Sequence, residues 1–320
     1  MPKHKRVWRI VFLACMVLVA GAVSSAEFAR RPVRFLIGFT PGGGTDQLAR
    51  ILSPRLSEKW GQPVVIENRP GADGDIALEM LMGAASDGHT LVFATNALTI
   101  TPSLRSLKYD PINSFAPVTM AAAVPGVLTV RASLPVNTLK ELIALAKAKP
   151  GQLNFGSSGT GTTPYLQMAL LMKLTGIQIA SIPYKGTTAP ALLSGEIDMS
   201  FLAVPAIYTQ VKAGKVKALA VSTLSRAAQL PDVPTVAEAA DLPGFEAYTW
   251  YGVLAPAATP RAVINKLRAD IAAVMSEPEI RHRTSDLGFL NIVSTPEAFS
   301  ATMKSDIARW SVLLKSLDVK

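Results

Sequence analysis

From residue 33 onward, short apolar runs alternate with longer amphipathic stretches. The runs Val33–Phe39, Val64–Glu67, Thr90–Ala94, Val127–Val130, Leu153–Gly156, Ile179–Ile182, Met199–Leu202, Ala218–Ser222 and Gly252–Ala255 are predicted strands. Between them, Thr138–Lys149 carries Leu139, Leu142, Ile143 and Ala146 on one helical face, behind a Thr cap and ahead of a Pro150-Gly151 stop. Pro260–Met275 and Pro296–Leu317 are predicted helices too. This alternation predicts an α/β protein with largely parallel sheets. Without a repeat, a low-complexity tract or a long linker, two lobes would have to be joined by crossing strands. Val127–Arg131 is the expected outward crossing and Tyr251–Ala255 the return. That makes lobe one discontinuous (27–126 and 251–320), with lobe two at 127–250.

The amino terminus has a different pattern. Lys3, Lys5, Arg6 and Arg9 precede the apolar run Ile10–Val23, and Ser24-Ser25-Ala26 follows. At 14 residues the run is too short to span a bilayer, which takes about 20. The pattern is that of a secretory signal peptide (1–26) cleaved after Ala26, which implies a secreted protein. Phe12-Leu13-Ala14-Cys15 is a poor lipid-attachment match. Cleavage leaves 294 of the 320 residues, with 28 basic and 23 acidic side chains and a net charge of +5. The basic residues are scattered and not interleaved with aromatics, which argues against nucleic acid. The mature chain contains no cysteine, so burial alone must stabilise it. Its length is near the ~250–300 residues at which single cores divide.

Pro41-Gly42-Gly43-Gly44-Thr45-Asp46 joins a predicted strand to a helix starting near Gln47, with Thr45 or Asp46 placed as its N-cap. Glycines at a helix amino end allow an anion to approach unpaired N–H groups. The absence of GK[ST] and of GxGxxG spacing removes nucleotide loops, and a plain tight turn is the competing reading. Leu153–Pro164 repeats the arrangement in the second lobe, with Thr162 or Thr163 as cap and Pro164 in the first turn. Two such ends facing each other would hold carboxylates without a cage of lysines or arginines. Tyr184, Lys185 and Gly186 end another strand, as pocket residues or as an exposed turn, and Thr95-Asn96 is a similar case. For Asn68–Gly74 the turn signals favour a structural role.

Catalysis finds little support. His4 lies in the signal, His89 in a turn and His282 in a basic surface helix. Ser158 fails the GxSxG elbow, because position 160 is Thr. No metal-ligand cluster or cofactor motif occurs. Glu196 and Asp198 look like solvated loop residues.

In their order and spacing, PGGGTD, VVIENRPGADG, SDGHTLVFAT, YDPINSFAPV, LNFGSSGTGTT, IPYKGTTAP, LPDVPTVAEA and APAATP resemble the Bug family (Bordetella uptake gene products) over nearly all of residues 30–320. These are extracytoplasmic solute receptors of the tripartite tricarboxylate transporter system. The resemblance implies a type II periplasmic-binding-protein fold, a small carboxylate ligand between two lobes, membrane permease partners and a monomer. It implies Phe39, Thr40, Gly43 and Asp46 as one wall of the site, with Ser157, Ser158, Gly161 and Thr162 as the other. Thr95 and Asn96, and Tyr184, Lys185 and Gly186, match further pocket segments. Where the family often reads Phe-Asp-Asn, this chain has Phe201-Leu202-Ala203. If Leu202 lines the pocket, the ligand should lack an ammonium group or carry an apolar part there. Two other readings stand beside the receptor: a sensory receptor presenting ligand to a membrane signalling protein, and a hydrolase using Ser157 or Ser158.

Overall fold

The strands, in chain order, are β1 (Val33–Ile37), β2 (Val64–Asn68), β3 (Thr90–Thr95), β4 (Phe115–Arg131), β5 (Asn154–Ser157), β6 (Ala180–Pro183), β7 (Met199–Ala203), β8 (Val216–Val221), β9 (Tyr248–Pro256) and β10 (Leu290–Asn291). The α-helices are α1 (Gly44–Trp60), α2 (Asp75–Met82), α3 (Ala97–Ile100), α4 (Leu139–Ala148), α5 (Thr163–Thr175), α6 (Ala189–Ser194), α7 (Val204–Lys212), α8 (Val236–Ala240), α9 (Arg261–Ser276), α10 (Pro278–Asp286) and α11 (Pro296–Ser316). They belong to a computed structural model that describes residues 31–184 and 186–316. The expected signal peptide, Cys15, Lys185 and Leu317 lie outside the described residues.

The sheet runs β2-β1-β3-β9-β4-β7-β5-β6, with β8 and β10 also pairing with β4. β1 pairs in parallel with β2 and β3, and β5 with β6 and β7. Each antiparallel pairing among the described residues involves β4 or β9. These two strands bring antiparallel pairing into sheets that are otherwise parallel. β4 serves both lobes: Phe115–Pro125 pairs with β9, whereas Gly126–Arg131 pairs with β7 and β8. The predicted strand Val127–Val130 is thus one end of a 17-residue strand. Its earlier part was hidden by Pro117 and Pro125, since proline removes a ladder donor. Register shifts at Pro117/Thr119 and Met120/Ala122 accommodate the irregularity.

Each lobe is layered helix–sheet–helix, as two buried sheet faces require. In the first lobe, Phe35 and Ile37 pack with α1 and α9, while Leu36 faces Leu78, Trp250 and Phe299 on the other side. In the second, Leu128, Phe155 and Phe201 pack with α4 and α5. Opposite them, Leu202 joins Leu192 and Ile207. A cluster of Ile100, Leu166, Ala247, Trp310 and Leu313 binds α5 to the first lobe's last helix. Caps follow the sequence signals well at α4, where Thr138 and Glu141 form a complete capping box.

Candidate functional site

The loop between β1 and α1 is fixed by an acid that it encloses. Asp46 accepts hydrogen bonds from Gly42 N–H (2.9 Å), Arg50 Nε (2.8 Å) and Asn68 Nδ2 (3.0 Å). Asn68 Nδ2 also reaches the Phe39 carbonyl (3.1 Å), so both ends of the loop are tied to β2. The Arg50 guanidinium, aided by the Gly42 amide and Asn68, lowers the Asp46 carboxyl to about 2 against the cost of burial. The helix begins at Gly44 with Gly43 as its N-cap, so neither Thr45 nor Asp46 caps it. Asp46 sits one turn in and bonds back toward the loop. As Gly43 has no side chain, α1 leaves the amides of its first residues without a side-chain acceptor.

On the second lobe, α5 begins at Thr163 with Thr162 as N-cap and Pro164 in the first turn. The Thr162 hydroxyl donates to Gly159 O (2.7 Å) and caps no amide. Thr163 turns instead to the first lobe. Its Oγ1 accepts from Asn96 Nδ2 (2.9 Å) and from Thr249 Oγ1 (3.1 Å). Asn96 is 3 % exposed, and its Nδ2 also donates to Tyr248 O (3.2 Å). The amide therefore serves as a bridge between lobes.

Both uncapped helix starts open on a crevice of about 360 Å³, within the usual range of small-molecule sites. Its first-lobe wall is Phe39, Thr40, Gly43, Gly44, Thr45 and Asp73, with Thr95, Asn96, Ala97 and Ile100 beside them. Gly161, Thr162, Thr163 and Pro164 form the second-lobe wall, and Thr249 and Tyr251 of β9 form the floor. Among the described residues no lysine or arginine lines it, and Asp73 is its one charged side chain. Donors come from backbone amides, threonines and a tyrosine. A larger depression of about 570 Å³ lies on the first lobe between Pro117, Arg261 and Lys304. It shares no lining residue with the crevice.

The crevice gathers Phe39, Thr40, Gly43, Thr95, Asn96, Gly161 and Thr162 from the expected set. Asp46 lies behind its wall, 2 % exposed. Ser157 is buried, and Ser158 Oγ donates to Gly186 O (2.7 Å), tying those two loops together away from the lining. Tyr184 donates to Glu196 (2.6 Å), which pushes its hydroxyl up to about 12. Leu202 is 7 % exposed within the second-lobe core and does not line this crevice. The inference against an ammonium group consequently loses its premise. Asp198, expected in solvent, is buried and accepts from Arg131 Nε (2.8 Å) and Asn154 N–H (2.9 Å). Asn68–Gly74, whose turn signals favour a structural role, contributes both Asn68 to the loop anchor and Asp73 to the lining. Thr249 and Tyr251 escaped sequence reading. Their alternation about Trp250 marks one strand face, but nothing local says that this face borders a cavity.

The model of the tripartite tricarboxylate transporter family receptor matches residues 48–319. Protein BugT of Bordetella pertussis is 32 % identical, with 94 % of each chain covered. The R. palustris protein Rpa4515, solved with adipate, is 35 % identical with a TM-score of 0.77, covering 90 % of this chain and 98 % of that one. MatC from Rhodopseudomonas palustris, solved with bound malate, is 31 % identical with a TM-score of 0.73, covering 90 % and 100 %. With the family model spanning most of the sequence and the two-lobed fold shared throughout, this chain belongs to the tripartite tricarboxylate transporter receptor family, together with the Bug proteins.

Proposed function

We propose that this protein is a periplasmic receptor that holds a small carboxylate between its lobes and passes it to a membrane permease. The observation that carries the reading is the pair of uncapped helix amino ends, one per lobe, opening on one crevice. Each helix end contributes about 0.3–1 kcal/mol to a bound anion, and up to ~2 when partly buried. Each charge-assisted hydrogen bond adds roughly 1.5–3 kcal/mol. A few together reach the ~8 kcal/mol of micromolar binding after association costs. The adipate and malate bound by the two relatives are carboxylates of the size such a crevice admits.

In this reading the segments 27–126 and 251–320 move as one body against 127–250, and the ligand favours closure through contacts made only in the closed state. Phe39, Thr40, Gly43, Thr95, Gly161 and Thr162 contact the ligand, while Asp46 and Asn96 organise the walls. Secretion follows cleavage after Ala26, and the receptor works as a monomer. The hydrolase alternative gains nothing from Ser158, whose hydroxyl is engaged with a carbonyl and has no basic partner among the described residues.

Native mass spectrometry of the purified protein, followed by thermal shifts with a panel of carboxylates, tests the proposal. A ligand at 100 times its Kd adds about 2.7 kcal/mol. Stabilisation by no carboxylate in the panel, or by neutral analogues equally, would overturn it.

A further inference from the structure

β9 crosses the floor of the crevice and turns Tyr251 toward the start of α1. A Cβ built on Gly44 would stand 2.5 Å from Tyr251 Oη and 3.1 Å from its Cζ. The phenol therefore occupies the space over the first residue of the helix, and Gly44 lacks a side chain where the hydroxyl must fit. The ring is held from behind by Phe289, edge-on at 5.2 Å, and by the first-lobe core. The hydroxyl itself has no hydrogen-bond partner among the described residues, although Tyr251 lines the crevice. A phenol donor and the unpaired amides of α1 thus converge on one place, and the helix has no side-chain cap to compete for them. Convergent, prepositioned donors are what a carboxylate group needs when no cation is present.

We propose that Tyr251 is a ligand-binding residue whose hydroxyl completes, with the amino end of α1, the subsite for one carboxylate group of the bound acid. The inference rests on the carboxylate-receptor reading. It also assigns Gly44 a steric role, because a methyl group there would push the phenol away from the helix end. Burial pushes Tyr251 up to about 12, so the hydroxyl keeps its proton, and remains a donor, around neutral pH, where a carboxylate is ionised. Thr249, two residues earlier on the same strand face, is spoken for by Thr163, which leaves Tyr251 as the floor's free donor.

The test uses the mature protein with adipate, malate, citrate, glutamate and benzoate as probes, by titration calorimetry. Tyr251→Phe keeps the ring and its packing on Phe289 and should unfold at the wild-type temperature. Its affinity for the probe that binds the wild type best should fall about 10- to 100-fold, the range for one hydrogen bond to a charged group. Binding should also perturb the wild-type tyrosine absorbance, and that signal should shrink in the variant. Gly44→Ala should weaken binding in the wild type and have a smaller further effect in Tyr251→Phe, where the nearest clashing atom is gone. A Tyr251→Phe affinity within twofold of wild type would overturn the inference while leaving the receptor reading intact. Failure of the wild type to bind any of the five probes at millimolar concentration would overturn both.

Discussion

Substituting Asp46→Asn preserves the side chain's shape and removes its charge at a buried position. Because the folded carboxyl is depressed from 3.8 to about 2, chiefly by Arg50, its ionised form stabilises the native state. That contribution is fully present above the unfolded value of 3.8 and is lost as pH falls through about 2. Integrated between those values it amounts to about 2.4 kcal/mol at neutral pH and about 1.3 kcal/mol at pH 3. Arg50 is 53 % exposed, and screening there lowers the expected difference from Asp46→Asn to about 1–2 kcal/mol at pH 7 and about half as much at pH 3. Urea unfolding of both proteins from pH 3 to 7, at unchanged m, measures this. Ligand binding separates two roles for the same acid. If Asp46 acted only as a negative charge beside an anion, its removal would tighten carboxylate binding, the more so with Arg50 left unpaired. As the acceptor that fixes Gly42 and, through Asn68, Phe39, its loss should loosen the loop and weaken binding. A stability difference that does not change from pH 3 to 7, or tighter carboxylate binding by Asp46→Asn, would refute this account.

Asn96→Ala removes the bridge to Thr163 and Tyr248. It should enlarge the unliganded radius of gyration in X-ray scattering and speed ligand release, with about 1–3 kcal/mol lost for the buried partners left unpaired. Because the described lining contains no lysine or arginine, the Kd for a carboxylate should change less than about threefold between 20 and 500 mM NaCl, as read by calorimetry. Gly126→Ala would drive a methyl group into the Gln167 amide. It should destabilise the protein by about 1–3 kcal/mol in thermal unfolding, and Gly126→Ala with Gln167→Ala should be less destabilised than the sum of the two single variants, because the clash is absent once the amide is gone.

Local signals were legible where chain-local chemistry decides the outcome. Thr138 with Glu141, and Thr162 with Pro164, mark helix starts because a cap is made within one turn of sequence. The apolar run at Val33 reads as a buried strand for the same reason. Long-range decisions were not legible. Pro117 and Pro125 argue against a central strand, yet β4 carries both because bulges and its change of partner at Gly126 relax the ladder. Asp46 looks like a cap by residue type, but its acceptors are claimed by Arg50 and by Asn68, 22 residues away. Leu202 and Asp198 were misplaced because neither residue type reveals which side of the second sheet is covered. Tyr251 could be recognised only when β9 had been laid beside the start of α1.

Buried hydrogen bonds tie α5, whose amino end faces the crevice, to both connections between the lobes. Gln167 stands one turn along α5 from Thr163, on the same side of the helix. Its Nε2 donates to Ala247 O (2.7 Å) on the return toward β9 and to Ser222 Oγ (3.0 Å). Ser222 Oγ also accepts from Gly126 N–H (2.9 Å) on the outward strand. All of these groups are buried, so leaving any one unpaired costs about 1–3 kcal/mol. The two crossing segments and the end of β8 are thereby held to the same helix whose amino end faces the crevice. A rotation of the second lobe that spared this network would have to keep α5 fixed against the crossings and bend the chain around it. A rotation that moved α5 would break several buried hydrogen bonds at once. Contacts at the start of α5 therefore act on the element to which both crossings are tied.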